Sequence, residues 1–114
     1  MVFFQFCAEK EGYLAEIVTK VEQTNMNAIL DTDSCYWMGL TDLAAEGKFV
    51  WQHSFSPLGE YTNWFPGQPD NFNGDEDCVY QQYVDNWGWN DAICESNAND
   101  LCVSIHALCQ SYKS

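Results

Sequence analysis

Positive charge is scarce in this sequence: four Lys plus Arg stand against seventeen Asp plus Glu among 114 residues, a formal net charge of −13. A chain so acidic repels phosphate backbones and anionic lipid surfaces, which argues against nucleic acid as a partner. Long apolar runs are missing too. The longest, Val2 to Phe6, is interrupted by Gln5 and is far too short to span a membrane, so no bilayer insertion is expected. Histidine occurs only at His53 and His106, neither in a nucleophile or zinc motif, and a lone His is more often a surface or structural residue. No CxxC pair has zinc-finger spacing, and no Asn-x-Ser/Thr acceptor occurs, so N-glycosylation is not expected. No secretory signal is visible, Met1 to Phe6 being too short for a charged plus an apolar region. The sequence therefore reads as a mature or recombinant form whose export signal is missing.

The composition is 46% hydrophobic and 16% aromatic, too apolar and ring-rich for a disordered segment. The length suits one domain with a single core, spanning 1–114. Six cysteines, at Cys7, Cys35, Cys78, Cys94, Cys102 and Cys109, form an even set in a short chain. That pattern implies three disulfides, an oxidising compartment and secretion to the extracellular space.

The spacing of Phe3, Phe6 and Cys7 predicts a short helix ending at Gly12. Leu14 to Val18 alternates like a strand. Thr19-Lys20-Val21-Glu22 then offers a capping box into a second helix, roughly Lys20 to Leu30, with Val21, Ala28, Ile29 and Leu30 on one side. Beyond it, short apolar runs (Tyr36 to Leu40, Phe49 to Trp51, Cys78 to Tyr83, Ile105 to Cys109) alternate with Gly, Asn, Asp and Pro clusters and read as strands. The stretch from His53 to Asp77 is a long loop rich in Pro and Gly, and such loops in compact domains usually carry function. Two helices followed by short strands predict an α+β fold, stabilised by disulfides.

Chemistry concentrates in Gln68-Pro69-Asp70, Glu76-Asp77-Cys78 and Trp89-Asn90-Asp91, with Cys94 three residues later. Gln68, Asp70, Glu76, Asn90 and Asp91 offer only oxygen ligands, three of them carboxylates. Such a set favours Ca²⁺, which takes six to eight oxygens at about 2.3–2.6 Å and tolerates irregular geometry; zinc prefers His or thiolate. A bridge from Cys78 to Cys94 would tie the ligand-bearing segments together. Turn chemistry alone also crowds loops with Asp, Asn and Gly, but here the convergent order of motifs outweighs it. The adjacent carboxylates Asp75 and Glu76 could imitate a glycosidase pair, yet a calcium ligand does not easily serve as a general acid, and no enzyme is expected.

These residues resemble the C-type lectin family. The likeness runs through Cys7, Gly12, Leu14, Ala15 and Ile17, then Trp37-Met38-Gly39-Leu40, Asn63-Trp64, Gln-Pro-Asp, Glu-Asp-Cys and Trp-Asn-Asp-x-x-Cys, and covers nearly the whole chain. It implies the C-type lectin-like fold, with two helices flanking short antiparallel sheets and a long calcium-binding loop. It also implies that Gln68, Asp70, Glu76, Asn90 and Asp91 hold a calcium ion and hydrogen-bond two sugar hydroxyls that coordinate the same ion. An auxiliary calcium site would fall on Asp42, Glu46, Asn71 and Asp77, with Glu76 shared; Asn71 stands where the family often has Asp, one charge fewer. The bond before Pro69 is typically cis in this family. Gln-Pro-Asp resembles the galactose-type members, which predicts a glycan partner of the galactose or GalNAc type ahead of mannose-like or broader specificity. Phe72 stands where such members stack an aromatic ring, and Trp87 is either a second stacking ring or a packing residue. The resemblance pairs Cys7 with Cys109, leaving Cys35 and Cys102 as an extra bridge or as links to another chain. Weak single sites imply a homo-oligomer for avidity. The rival reading is a non-sugar module of the same fold, for antifreeze, mineral or protein recognition.

Overall fold

The computed structural model describes residues 2–71, 74–94 and 105–111. Helix α1 (Val2–Glu9) leads into strand β1 (Gly12–Leu14), followed by helix α2 (Lys20–Asn27) and strands β2 (Cys35–Thr41), β3 (Val50–Trp51), β4 (Ser56–Pro57) and β5 (Cys78–Gln81). A four-residue helix α3 (Val84–Trp87) precedes β6 (Trp89–Ala92), β7 (Ile105–Ala107) and β8 (Cys109–Ser111). The architecture is α+β and disulfide-bonded, with the two helices and short sheets that the resemblance implied. Among the described residues no helix is long and apolar enough to cross a membrane.

Strand β2 organises the structure. It pairs antiparallel with β5, while its two halves pair with different strands: Leu40 and Thr41 with β3, and Cys35 to Trp37 with β7. The β7 pairing is parallel, which the expectation of purely antiparallel sheets did not include. The apolar run Cys35–Thr41 is buried almost throughout because both of its faces are covered. Period-2 alternation splits the interior. Cys35, Trp37 and Cys78 join one cluster with Cys7, Leu14 and Cys94, whereas Met38, Leu40 and Val79 join another with Ile17, Trp51 and Trp89. Each large apolar side chain so buried contributes roughly 1.5–3 kcal/mol. Gly39 is required here: its N–H donates to the Ala15 carbonyl at 2.8 Å, and a Cβ would meet the Leu14 carbonyl oxygen at 2.7 Å.

Two bridges fix the ends of the sheet system. Cys7 binds Cys109, joining α1 to β8, and Cys78 binds Cys94, joining β5 to the segment after β6. Cys35 is also disulfide-bonded; its expected partner, Cys102, lies outside the described residues.

Several local expectations shift. Gly12 does not end the first helix; Glu11, in the left-handed region at φ 58°, makes that turn, and Gly12 opens β1 opposite Ser111. The strand expected over Leu14 to Val18 is instead Gly12–Leu14, because Ala15 turns its N–H to the Leu108 carbonyl. The run expected as one strand over Ile105 to Cys109 divides into β7 and β8, which belong to different sheets. The capping box at α2 is present: the Glu22 N–H donates to Thr19 Oγ1 at 3.1 Å, and Glu22 Oε1 accepts the Thr19 N–H at 3.0 Å. Such a cap stabilises a helix by about 1 kcal/mol. The helix ends at Asn27, and its expected apolar side is exposed, with Val21 and Ile29 facing solvent. Gln23 is the residue it buries, for reasons that lie in its partners.

Candidate metal centre

The loop between β4 and β5 is stitched to β6 before it reaches the acidic residues. The Trp89 N–H donates to the Asn63 carbonyl at 2.8 Å and the Phe65 N–H to the Trp89 carbonyl at 2.9 Å. Trp64 packs edge-on against Trp89 and Phe49, so an aromatic floor lies beneath the loop. The chain then turns through Gly67, at φ 89°, into a cis Gln68–Pro69 bond, as the resemblance implied.

Beyond that bond Asp91 gathers the turn. Its Oδ1 accepts the Asp70 N–H at 3.1 Å and its Oδ2 accepts the Asn71 N–H at 2.7 Å. Asp70, Glu76 and Asp91 each present a carboxylate oxygen, and these lie within 4.8 Å of one another. Gln68 joins them through a 3.3 Å hydrogen bond from its Nε2 to Asp70 Oδ2. Asn90 is buried next to Asp91 on β6. Hydrogen bonds thus link Gln68, Asp70 and Asp91, Glu76 lies within 4.8 Å of the two aspartates, and Asn90 adjoins Asp91 in sequence.

A second acidic group forms nearby. Carboxylate oxygens of Asp42, Glu46 and Asp77 also lie within 4.8 Å of one another. Asp42 follows β2 and receives the Gly47 N–H on its Oδ2 at 2.9 Å, while its own N–H donates to the Asp77 carbonyl at 3.1 Å. Asn71, an amide and so outside any carboxylate group, lines the same cleft as Asp42 and Glu46, and its Oδ1 accepts the Glu76 N–H at 3.0 Å. The two groups share an open cleft of about 370 Å³, walled by Asp42, Glu46, Asp70, Asn71 and Asp91 and floored by Phe49, Leu58 and Trp64. A hollow of about 400 Å³ beside Tyr13, His53 and Phe55 has no acidic lining; cavity size alone does not single out a site, whereas converging oxygens do.

Electrostatics indicates what these groups fit. Carboxylates held this close disfavour being charged together. The Glu46 carboxyl is pushed up to about 7, first by its hydrogen bond with Asp42, then by loss of solvent and the charges of Asp42 and Asp77. Asp77 is raised by burial and by Asp42. Asp91 is raised by burial, against the lowering effect of its hydrogen bonds from Asn71 and Asp70. Asp42 Oδ1, Asp77 Oδ1 and Gln68 Oε1 are buried without a hydrogen-bond partner. Orphaned oxygens beside mutually repelling carboxylates form a donor set suited to a hard, oxygen-loving cation such as Ca²⁺.

The remaining candidates fall differently. Trp87 is only 2% exposed, with its ring against Tyr36 and Tyr83. Of its two readings the packing one applies, since a ring buried on that scale offers no face for a ligand to stack on. Phe72 lies outside the described residues. The buried role of Gln23 had no sequence signal beyond its place on a capped helix.

Comparison with known proteins gives one answer. The family model described as Lectin C-type domain matches residues 3–104. Salivary C-type lectin 1 of Aedes albopictus is 38% identical over 98 residues, covering 82% of this chain and 60% of that protein. Salivary C-type lectin 2 of the same species is 46% identical over 70 residues, covering 58% of this chain and 46% of its own length. The chain therefore spans about half of these relatives. Among solved structures, the carbohydrate-recognition domain of the mouse scavenger receptor C-type lectin superposes with a TM-score of 0.74 at 33% identity, covering 83% of this chain and 73% of that one.

Proposed function

The chain belongs to the C-type lectin family, and on that premise we propose that residues 1–114 act as one carbohydrate-recognition domain that holds glycans through calcium without transforming them. The observation that carries this reading is the convergence of Asp70, Glu76 and Asp91 to within 4.8 Å, with the buried Oε1 of Gln68 lacking a partner beside them. Gln68, Asp70, Glu76, Asn90 and Asp91 form the principal site; Asp42, Glu46, Asn71 and Asp77 form the auxiliary one. Bound calcium would supply a positive centre on which two neighbouring sugar hydroxyls complete an oxygen shell.

The side chains set the preference. An amide both donates and accepts, whereas a carboxylate only accepts. With the amide at Gln68 and the carboxylate at Asp70, the order of donors and acceptors matches the 3- and 4-hydroxyls of galactose or GalNAc. Asn90 contributes a further donor, its buried Nδ2 being without a partner, and Phe72 supplies the ring for the apolar face of the sugar. A monosaccharide binds weakly, on the order of millimolar or about −4 kcal/mol, and a homo-oligomer converts this into avidity. The disulfides, and the salivary lectins among its relatives, support an extracellular setting.

The test is retention on immobilised galactose in calcium, followed by elution with EDTA. Retention that survives EDTA would overturn the metal reading. Elution by mannose at lower concentration than by galactose would overturn the galactose preference. A glycan array blank both with calcium and with chelator would favour a non-sugar role of the fold.

A further inference from the structure

The only residue that α2 buries completely is polar. Gln23 is 3% exposed. Its Nε2 donates to Gln81 Oε1 on β5 and to Asn27 Oδ1, both at 2.8 Å, and its Oε1 accepts the indole N–H of Trp89 on β6 at 2.9 Å. Gln81 and Trp89 are fully buried, so one amide joins a helix to two strands inside the core. The arrangement is not the most economical packing available, because Gln81 Nε2 is left buried without a partner. An apolar side chain at 23 alone would leave the Trp89 indole N–H and Gln81 Oε1 buried without this partner, so the three groups stand or fall together. What the amide adds is direction: a hydrogen bond fixes the rotation of the indole, which apolar contact alone does not.

Trp89 is where that direction matters. Its ring meets Trp51, Tyr61 and Trp64 edge-on, and Trp64 floors the acidic cleft. Its backbone bonds to Asn63 and Phe65 hold the loop that leads to Gln68. The next two residues on β6 are Asn90 and Asp91. We infer that Gln23, outside the metal centre, is a positioning residue that sets calcium affinity by orienting Trp89, and through it the loop and strand that carry the proposed ligands. The inference rests on the calcium reading proposed above. Groups hydrogen-bonded directly to a metal ligand alter affinity by about 10–100-fold when lost; Gln23 acts one step farther out, through Trp89, so the low end of that range is expected.

Two variants separate positioning from mere stability. Gln23→Met keeps the length but loses all three hydrogen bonds. Gln23→Glu keeps an acceptor for the indole, and a flip of the Gln81 amide would turn its partnerless Nε2 toward the new carboxylate. Both variants are expected to melt below wild type in EDTA. Calcium titration of the folded proteins, followed by calorimetry and by the Trp89 indole ¹⁵N–¹H resonance, should show affinity about 10-fold weaker for Gln23→Met and close to wild type for Gln23→Glu. The indole resonance should move in Gln23→Met before any calcium is added. Equal calcium affinity in wild type and Gln23→Met, with only the melting temperature lowered, would overturn the positioning role. A wild-type protein that takes up no calcium would overturn the calcium reading itself, and this role with it.

Discussion

Asp91 on β6 accepts the backbone N–H of Asn71 at 2.7 Å across twenty positions of sequence. With the parallel bond from Asp70, this carboxylate closes the acidic turn onto the sheet through protein contacts alone. In the calcium reading proposed above, the same side chain has two tasks, shaping the turn and offering an oxygen to the cation.

Asp91→Ala should separate these tasks. Calcium-dependent retention on galactose is expected to vanish. Stability in EDTA should also fall, by about 2 kcal/mol, because hydrogen bonds to a charged acceptor are lost. Urea unfolding with and without calcium measures both; full retention in calcium would remove Asp91 from the ligand set.

The pH response of the metal-free protein should oppose that of the calcium complex. Glu46 is raised from 4.5 to about 7, and Asp77 and Asp91 are raised as well, so the folded protein binds more protons than the unfolded chain across that window. Their contribution to stability is full below the ordinary carboxylate range and is lost as pH rises through about 7. In EDTA the melting temperature should rise as pH falls from 7.5 to 5, while the increment that calcium adds should shrink as protons compete for its ligands. Glu46→Gln should flatten the EDTA curve; an unchanged curve in that variant would contradict the carboxyl cluster.

Exchanging Gln68→Glu together with Asp70→Asn preserves one amide and one carboxylate but reverses their order. The ratio of galactose to mannose needed to inhibit binding should swing by about tenfold toward mannose, the scale of one charge-assisted hydrogen bond. Competitive elution with each sugar reads it, and an unaltered ratio would place specificity elsewhere.

The Cys78–Cys94 bridge closes a separation of sixteen residues around β5 and β6. Replacing both cysteines with serine should cost about 3 kcal/mol and weaken calcium binding, since Glu76 lies two residues before Cys78 and Asp91 lies on β6, three residues before Cys94. Thermal melts and a calcium titration at 10 °C test the two effects separately.

The capped start of α2 was legible in sequence because Thr19 and Glu22 act within four residues of each other. Strand β2 was legible because a run covered on both faces is apolar from Cys35 to Leu40. The acidic residues were named from their types and order, and the fold brings carboxylate oxygens of Asp70, Glu76 and Asp91 within 4.8 Å of one another. The inward face of α2 was not legible: Val21 and Ile29 suggested an apolar side, yet both are exposed and Gln23 is buried. Trp87 carried no mark to tell a packing ring from a stacking one.

The sequence by itself determined the elements with local causes, the oxygen-rich residue types available to a cation and, through the order of its motifs, the fold. Tertiary structure alone decided which carboxylates meet, that Asn71 bonds the Glu76 N–H within the loop, and that a buried glutamine ties α2 to two strands. The reason is physical: a capping bond or an alternating strand depends on neighbours a few residues away, whereas burial and repulsion between carboxylates depend on distances in space that residue spacing does not encode.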